Sequence, residues 1–508
     1  MVSRKKTLGA FFAALTVAAT VLVPLSANAS PTGDLIFVRS QDFATFDPDL
    51  AQNDSLFIQQ QVFEGLYRGT KDGKGVEPWL AKSHTTSKDG LTWTFKLRTD
   101  VKFSNGSPLT AADVKFSLDR ATAGTGWGFI NEAIGSVEAP SSDTVVIKTK
   151  FQWAPLLADL ACFSNSIMPK DFGGKTAAEF FKDPIGTGAF VFDKWTPGTE
   201  IKLVANKSYW QPGKPYLNSV TWKYVADDNT REFMLKGGQA DINEEPPATN
   251  IKSLQAAPNI KVGIFPAAAS NYLAFNHKVP ALSDVNVRRA VSYAVDRAAI
   301  NKVVYSGLGT PSNSFLPPGV NYYDKNSPGV QFDLKKAAAE LAKSKYKKGL
   351  KLELLIRGGD KKQEATASIL QASLKKIGIT MTIKAQEPSV QRVTQKAMEY
   401  QMTLTGWTMD IVDPDQLLTF GLTPEGGTSA YFTNYNNKKV NEAIKKGQTN
   451  VDPKVRAAAY TFVQKQVADD AFMAFTINPP YLYAWTNKIT GFFVNPLYSY
   501  KMEDVKKG

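Results

Sequence analysis

Residues 350–407 alternate between two hydrophobic periods, and no other stretch limits the possible folds as tightly. LKLELLI (350–356) is a strand, 362–377 an amphipathic helix, TMTIKA (380–385) a strand, 388–398 a helix and YQMTLTGW (400–407) a strand. Such an α/β unit needs crossover connections, which favour a parallel sheet. The loop after its last strand then stands at the carboxyl end of the sheet, where open α/β folds bind ligands. That loop, TGWTMDIVDPDQLL (405–418), sets Asp410, Asp413 and Asp415 just after Trp407.

The first half mixes β and α. LTWTFKL (91–97), TVVIKT (144–149), AFVFDKW and IKLVAN are predicted strands. The turn signal Asn105-Gly106 precedes a predicted helix over 110–121, whose Thr110 and Asp113 have capping-box spacing. One helix is expected over 285–304, with Val287, Ala290, Val291, Ala294 and Val295 on its apolar face.

Arg4, Lys5 and Lys6 precede an apolar run (8–25), and Ala27-Asn28-Ala29 offers a cleavage site. This predicts a signal peptide over 1–29 and an exported, soluble mature protein, with an uncleaved anchor as the alternative. The lone cysteine, Cys162, permits no internal disulfide and no cysteine-based zinc site. It also does not follow the signal, where a lipid anchor would need it. The two histidines, His84 and His277, weaken the case for His-based catalysis or a multi-histidine metal site, and His277 is expected at the surface. The net charge is +13, but the lysines are scattered rather than gathered into a stripe with interleaved aromatics, so no nucleic-acid partner is expected. GGKT (173–176) has Pro169 where a P-loop needs its first glycine, and no G-x-S-x-G elbow is present.

The three aspartates admit several roles. D-x-x-D-x-D lacks a calcium loop's spacing, turn glycine and distal glutamate, so no metal is expected there. A glycosidase-like carboxylate pair remains conceivable. A carboxylate in a partly dehydrated cleft also grips an ammonium group, with a Trp face packed on the ligand. Asp413-Pro414-Asp415 fits a plainer role, opening the next helix and facing water. Asp410, nearest the strand end, fits that role less well.

Six segments, taken in order, resemble the bacterial extracellular solute-binding proteins of the peptide/nickel type, family five, which serve ABC importers. They are 90–121, with its FSNGSPLTAADV core; IGTGAFVF (185–192); NKSYWQPGKPYLNSV (206–220); LKGGQADI (235–242); 273–300, with its NHKVP and VRRAVSYAVDR elements; and GWTMDIVDPDQLL (406–418). The resemblance implies an α/β, two-lobed periplasmic-binding-protein clamshell of the large type, with an extra subdomain in a discontinuous first lobe. Residues 30–62, 185–272 and 483–508 would form the first lobe, 63–184 the extra subdomain and 273–482 the second lobe. It further implies that Asp410 holds a ligand's α-amino group and that Trp407 walls the pocket. Arg357 is the candidate for the ligand carboxylate, in surroundings (IRGGDKK) that depart from the family's. Phe43, Ala44 and Tyr272 lie in segments that line the cleft in similar proteins. The function so implied is non-enzymatic: a monomeric periplasmic protein without cofactor that binds dipeptides or short peptides and delivers them to inner-membrane permease subunits. Relatives that bind nickel chelates, haem, opines or oligosaccharides leave the solute open. A secreted carboxylate-dependent hydrolase and a scaffold for extended chains are the competing classes.

Overall fold

The computed structural model describes residues 1, 32–51, 55–327, 329–424 and 433–508. Apart from Met1, the expected signal peptide lies outside the described residues. Three sheets organise the chain. The largest has seven strands in the order Ile260–Phe265, Tyr481–Thr486, Ile242–Glu244, Asp34–Arg39, Ser219–Tyr224, Glu200–Ala205 and Phe190–Thr196. At its centre DLIFVR pairs in parallel on both sides. A strand so placed is covered on both faces, which explains its nearly unbroken apolar run: Leu35, Phe37 and Val38 are fully buried. Phe37 packs against Trp222, Tyr483, Phe492 and Tyr500, so residues from near both chain ends complete one core. At the end of the same strand Arg39 lies buried over the Phe57 ring and forms an ion pair with Glu244 at 2.9 Å.

The second sheet has five strands, in the order Thr380–Gln386, Lys351–Arg357, Met402–Thr408, Ala269–Phe275 and Met473–Phe475. The first three are the α/β unit read from the sequence, and Lys351–Arg357 is parallel to both its neighbours. Ala269–Phe275 and Met473–Phe475 add antiparallel pairing from distant parts of the chain. The expected crossing between lobes at 272–273 therefore falls inside a strand, and the chain enters this sheet before Ala269. Likewise 482–483 falls inside Tyr481–Thr486, which belongs to the seven-stranded sheet. The helix expected over 285–304 is two helices, Val285–Tyr293 and Arg297–Tyr305. Asp296 ends the continuity because its carboxylate accepts the Ala299 N–H as an N-cap, while Arg297 turns inward to donate to the Phe475 carbonyl at 2.7 Å.

A four-stranded antiparallel sheet, Ala81–Thr86, Thr92–Leu97, Thr144–Thr149 and Ile134–Ser141, carries the helix Ala111–Ala123. Its Thr110–Asp113 capping box is formed as the spacing predicts. This unit touches the second lobe: Ala154 N–H donates to the Gln448 carbonyl at 2.9 Å, Lys445 pairs with Glu132 at 3.5 Å, and the rings of Phe129 and Phe420 stand 5.8 Å apart. Among the described residues no helix is long and apolar enough to cross a membrane. His277 is not a surface residue: its ring is hydrogen-bonded to the Phe472 carbonyl at 3.0 Å, and burial lowers its pKa to about 4.

Candidate ligand-binding site

A cavity of about 450 Å³ lies between the two large sheets. Loops at the strand ends supply its polar groups, as the switch-point argument expects. From the seven-stranded side come the Arg39–Glu244 pair, Glu245, Tyr481 and Tyr498; from the five-stranded side come Asn271, Tyr305, Arg357, Gln391, Gln395 and Trp407.

Arg357 is the last residue of its strand, and its backbone N–H donates to Gln363 Oε1 at 2.9 Å. Gln363 opens the following helix, Lys361–Lys375, whose N-cap Asp360 accepts the Lys362 and Gln363 N–H groups. This turn fixes where the guanidinium starts. Its Nε is buried without a hydrogen-bond partner among the described residues, which leaves a donor of a strong acid-binding group unused at the cavity wall. Trp407 faces the same cavity, its ring packed 4.5 Å from that of Phe420.

The other expected site residues divide. Tyr272 borders the cavity but is fully buried; its hydroxyl donates to the Phe315 carbonyl at 2.6 Å and its ring packs on Phe315 and Phe475, so it is chiefly a core residue. Phe43 packs against Phe46 and Trp195 in the first-lobe core, and exposed Ala44 donates its N–H to Ser55 Oγ. Neither Phe43 nor Ala44 lines this cavity; Ser40 and Gln41, just upstream, do. Sequence reasoning missed Glu244, Glu245 and Tyr498. The available signal was a pair of acids directly after an apolar strand and before Pro246-Pro247.

Asp410 does not face the large cavity. It lines a smaller one of about 180 Å³, shared with Cys162 and Lys501, so the segment 405–410 forms part of the wall between the two. Gln416 holds it twice: Asp410 N–H donates to Gln416 Oε1 at 3.0 Å, and Gln416 Nε2 donates to Asp410 Oδ2 at 2.6 Å. No cation stands within ion-pair distance of this half-buried carboxyl among the described residues. Burial raises its pKa to about 7, against the lowering effect of the Gln416 hydrogen bond. It is a carboxyl that lacks a countercharge.

Asp413 and Asp415 do open the next helix, which starts at Asp415, with Asp413 Oδ1 accepting the Asp415 N–H at 3.1 Å. They do not face water, being 4% exposed each. Asp413 is held by Arg456 at 2.7 Å, and Asp415 accepts from Thr419 and Gln448. Burial, then the neighbouring Asp413, raises Asp415 to about 7. Across the interface with the four-stranded unit, Asp159 is raised too, by burial first and by Asp415 second. Among the described residues no three acidic, His or Cys side chains gather to hold a metal.

The model for bacterial extracellular solute-binding proteins, family 5 middle, matches residues 75–429. The glutathione-binding protein GsiB of Escherichia coli (strain K12) is 28% identical over 483 residues, covering 93% of this chain and 94% of the relative. The periplasmic binding protein DppA from Helicobacter pylori, solved with the peptide STSA, superposes with a TM-score of 0.85 at 27% identity, over 94% of this chain and 98% of that one. AgaA from A. tumefaciens R10, solved with agropinic acid, gives a TM-score of 0.83 at 28% identity, over 94% and 99%.

Proposed function

The chain belongs to the bacterial extracellular solute-binding proteins of family 5, and from that premise we propose that it captures dipeptides or short peptides between its lobes and delivers them to the permease of an ABC importer. The observation that carries this reading is the interlobe cavity with Arg357 on its wall and an unpaired Asp410 just beyond Trp407. A peptide's two ends supply what each lacks. The carboxylate pairs with the guanidinium, and the α-ammonium reaches Asp410 past the indole, where pairing draws the carboxyl back to its charged form. Contacts made from both lobes at once favour the closed arrangement, because only that arrangement makes them all. Relatives whose names record glutathione and the peptide STSA agree with a peptide-like solute.

The protein acts in this reading as an exported monomer, with no turnover of the ligand. Calorimetric titration with di- and tripeptides, run on wild type and Asp410→Asn, tests it. Wild type should bind at least one member one-to-one and Asp410→Asn should bind it at least about tenfold more weakly, as expected for loss of a desolvated charge pair. Equal binding by both would remove Asp410 from the site. The AgaA likeness favours a second reading, an opine-type solute. Mass spectrometry of whatever co-purifies separates the two, and product analysis after long incubation with peptides tests for hydrolysis.

A further inference from the structure

The large cavity holds a carboxylate without a countercharge among the described residues, that of Glu245. Its residue adopts a left-handed backbone (φ 49°), a costly conformation for a side chain other than glycine. The position is pinned, because Glu245 N–H donates to the Leu482 carbonyl at 2.9 Å. Its exposed carboxylate shares the Tyr498 hydroxyl with Glu244, the hydroxyl standing 3.2 Å from Glu245 Oε1 and 3.3 Å from Glu244 Oε1. Tyr498 is itself buried and stacks on Tyr481 at 4.3 Å, so the acid rests beside an aromatic wall. Its neighbour Glu244 is neutralised by Arg39, whereas Glu245 has no cation within ion-pair distance among the described residues.

Charge balance gives the sign of what is missing. Arg39, Arg357 and Lys362 face the large cavity against Glu244, Glu245 and Asp360. The ionisable groups of the smaller cavity other than Asp410 also cancel, three of each sign. With Asp410 ionised, the combined site carries one net negative charge. A peptide with neutral side chains brings none to offset it. A peptide with one Lys or Arg side chain brings a single positive charge. After its α-ammonium and carboxylate are placed on Asp410 and Arg357, Glu245 and Asp360 are the acids of the large cavity without a cation among the described residues. Asp360 already caps a helix by accepting the Lys362 and Gln363 N–H groups, which leaves Glu245.

We propose that Glu245 selects peptides with a basic side chain, by pairing that side chain's ammonium or guanidinium beside the Tyr481–Tyr498 wall. The inference rests on the peptide reading above. Its test is titration of wild type, Glu245→Gln and Glu245→Asp with Ala-Ala, Ala-Lys and Ala-Glu. Wild type should bind Ala-Lys about tenfold more tightly than Ala-Ala, and Ala-Glu most weakly, as a charge-assisted pair in a partly open site allows. Glu245→Gln should bring Ala-Lys down to the Ala-Ala level and leave Ala-Ala within about twofold, since a neutral dipeptide does not use the acid. Glu245→Asp should keep part of the preference. A wild type indifferent to ligand charge, or a preference that survives Glu245→Gln, overturns the inference alone. If wild type binds none of the three, the peptide reading falls and this inference with it.

Discussion

Asp410 is a carboxyl whose burial presses it toward the neutral form. Its raised pKa of about 7 means that the empty protein keeps it largely protonated below neutrality. An ammonium needs the ionised form, so binding expels a proton there. Affinity for an α-ammonium ligand should therefore rise about fivefold between about pH 6 and pH 7.4 and fall again as the ligand's own α-amino group loses its proton near pH 8, a calorimetric series in which Asp410→Asn should show only the fall. The stability sign is opposite. Because the folded pKa lies above the ordinary value of 3.8, ionisation costs the fold as pH climbs from that value through about 7. Thermal unfolding of Asp410→Asn should thus lie above wild type at pH 8 and approach it at pH 5, while its affinity is lower than wild type's near neutrality. A merely structural aspartate would not split stability from binding in this way. Arg357 is tested by the complementary change: Arg357→Met should weaken peptide binding by about tenfold to a hundredfold, and amidation of the ligand's carboxyl should cost wild type but not the variant. The strand ends at Trp407 and Arg357 were legible because the period of each strand is plain in the sequence, and both border the large cavity. Glu245 was not, because its place depends on a parallel strand pairing between residues 37 and 242, more than two hundred positions apart.

At the scale of elements, the helix Asp415–Leu422 is fixed by a buried pair rather than by a solvated cap. Asp413 takes Arg456 on one side and the Asp415 N–H on the other. Arg456 also donates to the Gly447 carbonyl at 2.8 Å, so one guanidinium ties the ligand loop to two further helices. Arg456→Met would strand Asp413 as a buried unpaired charge, and chemical denaturation should record a loss of about 3–5 kcal/mol. The sequence placed this helix start correctly from Asp-Pro-Asp. It could not show burial, because the covering helix comes from 453–469, beyond the reach of any local pattern. The same limit explains the broken helix at Asp296: an apolar face reads through the break, since both halves bury the same side.

Across the whole molecule, the described residues meet at the cavity between the two large sheets and again where the four-stranded unit touches Phe420, Lys445 and Gln448. In the latter, Asp159 and Asp415 lie buried and repel each other, and Asp159 Oδ1 has no hydrogen-bond partner among the described residues. Asp159→Asn retains an oxygen for the Trp153 Nε1–H, now accepted by Asp159 at 2.6 Å, and removes one charge. Because burial and Asp415 hold the Asp159 pKa above its ordinary value, ionisation costs the fold as pH rises, so thermal unfolding of Asp159→Asn should lie above wild type at pH 8 and approach it at pH 5. Architecture on this scale was accessible from the sequence only through family likeness. Its own periodicities gave the α/β unit at 350–407 but no rule joining residue 34 to residue 219 and residue 481 in one sheet.

The most direct measurement is a crystal structure of the protein grown with Ala-Lys. Peptide density is expected in the interlobe cavity, with its carboxylate on Arg357, its α-ammonium on Asp410 and its lysine ammonium on Glu245. A peptide bound outside that cavity, or lying in it with its carboxylate turned away from Arg357 and its ammonium groups away from both acids, would contradict that expectation.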